Sequence, residues 1–525
     1  MTRDLIIGID AGTSVIKAVA FTLSGEQLSI AAMPNCYETL ADGGVEQNMA
    51  HTWTDTAATL RLLCEAVPNL ARRTLAVAVT GQGDGTWLID EGGEPVTPGW
   101  LWLDPRAARI AEEFTASCDY GDHYRRTGTG VNACQQNVQL AWLQRHRPEL
   151  IAKAASAFHC KDWLYFKLTD TRATDLSEGN FTFGSYATRE YAPAILDHLG
   201  AGECKRLLPR MIDGTREAGS LLPKAAAETG LASGTPVVLG AVDVLCSALG
   251  GGLYDASGHM GCTVIGSTGM HMRLALTADK VVLNAEGSGY TMPFPVPGVS
   301  AQMQSNMAAT LNIDWLLDLA CEILLDQGVT RSRRDLLAGL DDRILARPPC
   351  RVLFHPYISR AGERGPFRDS TARAQFTGLE SGVGFPDMMR AVFEGLCHAA
   401  RDCYTVMGAI PGEVRLAGGA ARSKALMQML AGALGAPVRR VDREESGAAG
   451  AAIIAAIQQG VYPDADAATA EWVDPLLGKP TRPDAQIAAA FARSFPIYVE
   501  TRQAMRPIWR AMQSSHGSQG AGNAA

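Results

Sequence analysis

The stretch that decides the fold is Leu5-Ile6-Ile7-Gly8-Ile9-Asp10-Ala11-Gly12-Thr13-Ser14, continued by Val15-Ile16-Lys17-Ala18-Val19-Ala20-Phe21. One apolar run enters a tight glycine turn and a second leaves it, which reads as a β-hairpin rather than a strand followed by a helix. Such a turn points several backbone N–H groups into one concavity and so suits a phosphate. Thr13 and Ser14 add hydroxyl donors, and Asp10 at the strand end is suited to hold Mg2+ through water. The competing reading is an ordinary hairpin that uses glycine for its backbone freedom.

Working outward, a unit of the same style recurs much later. An apolar strand at 236–240 leads through Ala241-Val242-Asp243 into a small-residue helix at 244–249. A strand at 262–265, the turn Gly266-Ser267-Thr268-Gly269 and a strand at 270–274 follow. The recurrence predicts an α/β chain of two related domains, 1–243 and 244–513, with a cleft between them. The Ser/Gly/Ala-rich stretch 514–525 reads as a disordered tail. Helices are expected over 52–66, 137–145, 161–168, 385–407, 424–434, 446–458 and 491–512. Strands are expected over 75–80 and 414–416.

The chain has 525 residues, 47% hydrophobic and 19% charged, which is enough to build large cores and excludes a mainly disordered protein. A net charge of −8 without a basic block argues against nucleic acid and against an anionic membrane surface. The 12 cysteines are scattered, with no C-x-x-C pair, which disfavours zinc, iron–sulfur and disulfide frameworks and suits a reducing cytoplasm. No signal peptide and no 18-residue apolar run are read, so a soluble cytoplasmic protein is expected.

Individual motifs leave alternatives open. Asp243 is either a helix N-cap or a catalytic base at the mouth of a domain cleft. Asp84, among Gly81, Gly83 and Gly85 after a strand, is either a turn residue or a small-molecule contact. Gly418-Gly419-Ala420 after a strand lets a planar ring approach the backbone, but it is no G-x-G-x-x-G fingerprint. Of Trp87, Trp100 and Trp102, core packing is expected for some and a sugar-pocket wall for one. His159 and His398 are expected to pack or bond locally.

In order along the chain, Ile9-Asp10-Ala11-Gly12-Thr13-Ser14, Val45-Glu46-Gln47 with Trp53, Thr80-Gly81-Gln82, Leu101-Trp102-Leu103-Asp104-Pro105-Arg106, Gly240-Ala241-Val242-Asp243, Gly266-Ser267-Thr268-Gly269, the YISRAGERGP of 357–366 and Gly418-Gly419-Ala420 together resemble the FGGY family of carbohydrate kinases, of the sugar kinase/actin/Hsp70 fold. The resemblance covers about 1–510. It implies two actin-like (ribonuclease H-like) domains and transfer of the ATP γ-phosphoryl to a primary hydroxyl. Asp243 is then the base. Gln82, Gly83, Asp84, Trp102 and Asp243 are implied for substrate. Asp10, Gly12, Thr13, Ser14, Lys17, Gly266, Ser267, Thr268, Gly269, Gly418, Gly419, Ala420 and Ser423 are implied for ATP, with Asp10 and Asp243 for Mg2+. Ala417 stands where many members carry the first glycine of GGGA. Gly83-Asp84 stands where xylulose-phosphorylating relatives show Met-His and glycerol-phosphorylating ones Arg-Glu. The acidic residue leans toward a short polyol, erythritol first, with a pentulose as runner-up. A nucleotide-switched binding protein on the same fold is the alternative of a different class. The expected partner is a small polyol or sugar, with neither nucleic acid nor membrane, and a homodimer is the assembly to test.

Overall fold

A computed structural model describes residues 3–520. Its first sheet contains β1 (Leu5–Ala11), β2 (Val15–Thr22), β3 (Gln27–Pro34), β4 (Thr74–Gly81), β5 (Gly219–Ser220) and β6 (Pro236–Leu239), in the spatial order β5-β6-β4-β1-β2-β3. The second contains β7 (Met260–Ile265), β8 (Gly269–Ala275), β9 (Tyr290–Pro293), β10 (Ser300–Asn306), β11 (Glu413–Ala417) and β12 (Val438–Arg440), in the order β9-β10-β8-β7-β11-β12. In the first, β1, β2 and β3 pair antiparallel while β1, β4 and β6 pair parallel. In the second, β7, β8 and β10 pair antiparallel while β7, β11 and β12 pair parallel. The same five-strand pattern therefore occurs twice.

Alternation explains why β1 is apolar throughout. Leu5, Ile7 and Ile9 face one buried cluster with the helix α1 (Met49–Ala66), whereas Ile6 faces another on the opposite side of the sheet. That second cluster belongs to both sheets. It joins Ile6, Val19 and Val238 to Cys262, Met272 and Leu274. Two helices lie within it, α2 (Asp243–Gly250) and α3 (Ser446–Gln458). Their small residues are required by close approach. A methyl on Gly8 would overlap the Ala448 carbonyl oxygen, and one on Gly450 would overlap that of Cys246. The first sheet thus packs directly on α3 through Gly8 and Ala448, and α3 packs on α2 through Gly450 and Cys246.

The expected elements are present, with shifted ends. The terminal helix spans Ala485–Gly520, wider than 491–512. The expectation of disorder over 514–525 is corrected for 514–520, where the helix continues, and 521–525 lie outside the described residues. No helix among the described residues is long and apolar enough to cross a membrane.

Candidate active site

Parallel pairing brings the first group of residues together. Asp10 stands opposite Thr80, Ala11 opposite Gly81, and Leu239 opposite Val79, so the carboxyl ends of three adjacent strands share one edge. Gln82 N–H bonds Ala11 O at 3.0 Å, and Thr80 Oγ1 donates to Ala241 O at 2.7 Å, which ties the ends. Asp10, Gln82, Asp84 and Asp243 all follow from that edge. On the second sheet Val264 stands opposite Ala417, which brings the turn 266–269 beside Gly418. Gly418 has φ +90°, and a Cβ there would meet Ile265 O at 2.5 Å, whereas a Cβ on Gly419 meets nothing within 4 Å.

The two phosphate-type turns are built alike. Gly12 N–H closes on Val15 O at 3.1 Å and Gly266 N–H on Thr268 O at 3.0 Å. These two amides are used inside the turns, which leaves Thr13, Ser14, Ser267 and Thr268 around the tips. The Gly266 and Ser267 carbonyls are tied to Thr310 and Ala309 at the start of the helix Thr310–Asp326. Thr13 Oγ1 donates to Gln82 Oε1 at 3.0 Å and accepts from Trp102 Nε1 at 2.9 Å, and Gln82 Nε2 donates to Gln47 Oε1 at 2.7 Å. Gln82 therefore acts as a strut of the first turn.

Asp243 is the first residue of α2, and the N-cap is Val242. The capping reading thus loses its geometric basis. Burial, then the Asp10 carboxylate, and more weakly Glu178 and Asp84, push Asp243 up to about 8 against a bond from Val244 N–H. Burial raises Asp10 to about 6, with Lys17 opposing and Glu445 assisting. Lys17 pairs with Glu445 at 2.8 Å, which ties the first sheet to the segment entering α3. Ser423 caps the helix Lys424–Leu434, bonding Leu426 N–H at 3.1 Å and Asp341 at 2.8 Å. Ala420 lies in the short turn between.

Asp84 sits at φ +55° and is clasped by Cys134, whose thiol donates to Oδ2 at 3.3 Å while its carbonyl accepts from Gly85 N–H at 2.9 Å. Burial raises the Asp84 carboxyl, with Cys134, His159 and Arg364 opposing. Its Oδ1 is buried without a hydrogen-bond partner. A cavity of about 720 Å³ lies beside it, lined from one half by Trp102, Asn132 and Cys134 and from the other by Met307, Glu363 and Arg364. Trp102 is 37% exposed, while Trp87 and Trp100 are core.

Sequence reasoning missed Glu178. Neither of its buried oxygens has a hydrogen-bond partner, and Oε1 lies 2.8 Å from where a Gly83 Cβ would stand. His159 Nε2 is 3.4 Å from Glu178 Oε2, and His159 Nδ1 is 3.1 Å from Asp162 Oδ2. Burial raises Glu178 to about 7, opposed by His159 and Lys161. His159 does bond locally, as expected, but it also backs the site; His398 bonds Ser494 at 3.0 Å.

Among the described residues no cluster of three or more His, Cys, Asp or Glu side chains could hold a metal, but two carboxylates of the site suit a cation. Asp10 and Asp243 are two neighbouring carboxylates, each raised by burial, that a cation would relieve. A methyl on Gly447 would overlap Asp10 Oδ2, so glycine there leaves the carboxylate its place.

Residues 5–250 match the model of the FGGY family of carbohydrate kinases, N-terminal domain, and residues 261–459 match that of the C-terminal domain. The chain belongs to the FGGY family. This carbohydrate kinase is 50% identical over 511 residues to a protein named erythritol kinase from Brucella abortus (strain 2308), covering 97% of this chain and 98% of that one. It is 26% identical to the xylulose kinase of Escherichia coli (strain K12), over 96% and 100% of the two chains. The crystal structure of xylulose kinase from Rhodospirillum rubrum superposes on it with a TM-score of 0.86 at 25% identity, over 96% and 100% of the two chains. The kinase therefore has the two-domain actin-like fold.

Proposed function

We propose that this FGGY kinase phosphorylates a primary hydroxyl of erythritol with ATP, in the cytoplasm. The observation that carries the reading is the 50% identity, across nearly both full lengths, to the Brucella abortus protein named erythritol kinase. The Gly83-Asp84 pair supports it, because a carboxylate accepts from neighbouring hydroxyls. The half 1–243 supplies most of the polyol site and the first phosphate turn, and the half 244–513 the ATP/adenosine site, followed by 514–525.

Asp243 accepts the proton of the attacking hydroxyl, and its raised basicity suits that task near neutral pH. Asp84 and Trp102 orient the acceptor, with the Gln82 strut holding the first turn. Thr13, Ser14, Ser267 and Thr268, with Gly12, Gly266 and Gly269 shaping the turns and Lys17 beside them, face the phosphates. Gly418, Gly419, Ala420 and Ser423 border the adenosine. Asp10 and Asp243 would hold Mg2+, which when bound neutralises charge on the phosphate oxygens. Meeting of the two halves excludes water from the reacting groups.

Incubation with erythritol, ATP and Mg2+ is expected to yield ADP and a tetritol monophosphate whose carbon-13 spectrum shows phosphorus coupling at one primary carbon. ADP formation no faster than without acceptor would overturn the reading.

A further inference from the structure

Asp84 adjoins the cavity through Cys134, which lines it, and Asp243 and Glu178 are near enough to feel the charge of Asp84; such carboxylates accept hydrogen bonds without donating when ionised. Each hydroxyl of a polyol is both donor and acceptor. An acidic wall alone leaves hydroxyl oxygens unmet, at a cost comparable to an unsatisfied buried group. The opposite wall supplies a donor fork. Arg364 lines the same cavity as Cys134, which is itself bonded to Asp84. It comes from the 357–366 stretch, where Glu363 Oε1 accepts from the N–H groups of Met307 and Arg364 at 2.8 Å each. Arg364 Nη2 is steadied by Ser305 Oγ of β10 at 2.8 Å, while Nε is buried without a partner.

Arg364 and Asp84 feel each other's charge. Burial pulls the guanidinium down, but Tyr290, Cys134, Glu363 and Asp84 together hold it above its ordinary range. Yet no ion pair within 4.0 Å joins Arg364 to Asp84, although Arg364 binds Ser305 and Asp84 binds Cys134. Arg364 lines the cavity from one half, and Asp84 lies behind the cavity-lining Cys134 of the other; the first keeps an unmet donor and the second an unmet acceptor, so a group that both donates and accepts would serve both.

We propose that Arg364 determines specificity by donating to a hydroxyl oxygen of the acceptor that Asp84 holds from the other half. This rests on the polyol reading above. It follows that the acceptor itself bridges the two halves, so that correct substrate and domain approach are coupled.

The test compares erythritol with butane-1,2,4-triol, which lacks one internal hydroxyl, in the wild type, Arg364→Met and Arg364→Lys. Arg364→Met is expected to lower kcat/KM for erythritol about tenfold to a hundredfold, as for a lost charge-assisted bond. It should also shrink the erythritol-to-triol ratio, with the KM for ATP within about twofold and an unchanged Tm. Arg364→Lys should recover part of the ratio, because it keeps a cation but not the fork. A merely structural arginine would lower both acceptors alike, and an unchanged ratio in Arg364→Met overturns the proposal. If another acceptor proves best, the erythritol reading fails. The Arg364 test then proceeds on that acceptor and its internal deoxy analogue, with the same two outcomes.

Discussion

At Asp243 burial and three neighbouring carboxylates act in one direction, toward the protonated form. Asp243→Asn is expected to cut kcat at least about a hundredfold while acceptor binding by calorimetry stays within about tenfold, since the loss falls on proton transfer. Near-normal turnover would make Asp243 a helix residue only. Stability supplies an independent readout. The folded-state value, about 8, exceeds the ordinary 3.8, so the native protein binds the extra proton between those limits. Stability contributed by this group is present at low pH and is lost as pH rises through about 8. Asp243→Asn should therefore raise the Tm of the free enzyme relative to wild type more at pH 8 than at pH 5, and an equal difference at both would contradict the burial argument. Glu178 tests the same electrostatics. Its anion disfavours the Asp243 anion, so Glu178→Gln should move the acidic limb of the kcat/KM profile to lower pH. A shift to higher pH, or none, would remove Glu178 from the site.

At the level of elements, the close packing of α2 on α3 builds the layer on which the first sheet rests. The Gly450 position lies against the Cys246 carbonyl, where any Cβ is excluded. Gly450→Ala is expected to destabilise by about 1–3 kcal/mol, read as a lower midpoint in urea, because a methyl in a packed interface forces backbone movement. A neutral Gly450→Ala would show that the helices separate easily. Much of this layer was legible beforehand. Leu5–Ala11 and Val15–Thr22 announced themselves by apolar runs around a glycine turn, and 446–458 was read as a helix with the bounds it has. Asp10, Asp84 and Asp243 stood out because each follows an apolar strand near glycine. Glu178, Cys134 and Arg364 were not assigned roles, and His159 only local bonding, because their meaning is spatial. Glu178 lies in an ordinary helix, Leu176–Phe183, and matters only because Gly83 leaves it space. The last turns of the terminal helix were missed because Ser and Gly content near 514–520 argues locally against a helix.

Across the whole molecule, acceptor choice is the joint property of two walls. Asp84 comes from the first half, bonded to the cavity-lining Cys134, and the Glu363-Arg364 segment that lines the same cavity comes from the second. A carboxylate wall favours an acceptor with a donating hydroxyl at every carbon and disfavours a carbonyl, which cannot donate and leaves both groups unmet. Asp84→Asn should narrow that preference, since an amide also donates. The most direct measurement is kcat/KM for erythritol against D-xylulose in wild type and Asp84→Asn, followed by ADP release at fixed Mg2+-ATP. The wild type is expected to favour erythritol by about tenfold to a hundredfold, with the ratio reduced in Asp84→Asn. D-xylulose outperforming erythritol, or a ratio unchanged by Asp84→Asn, would contradict the account.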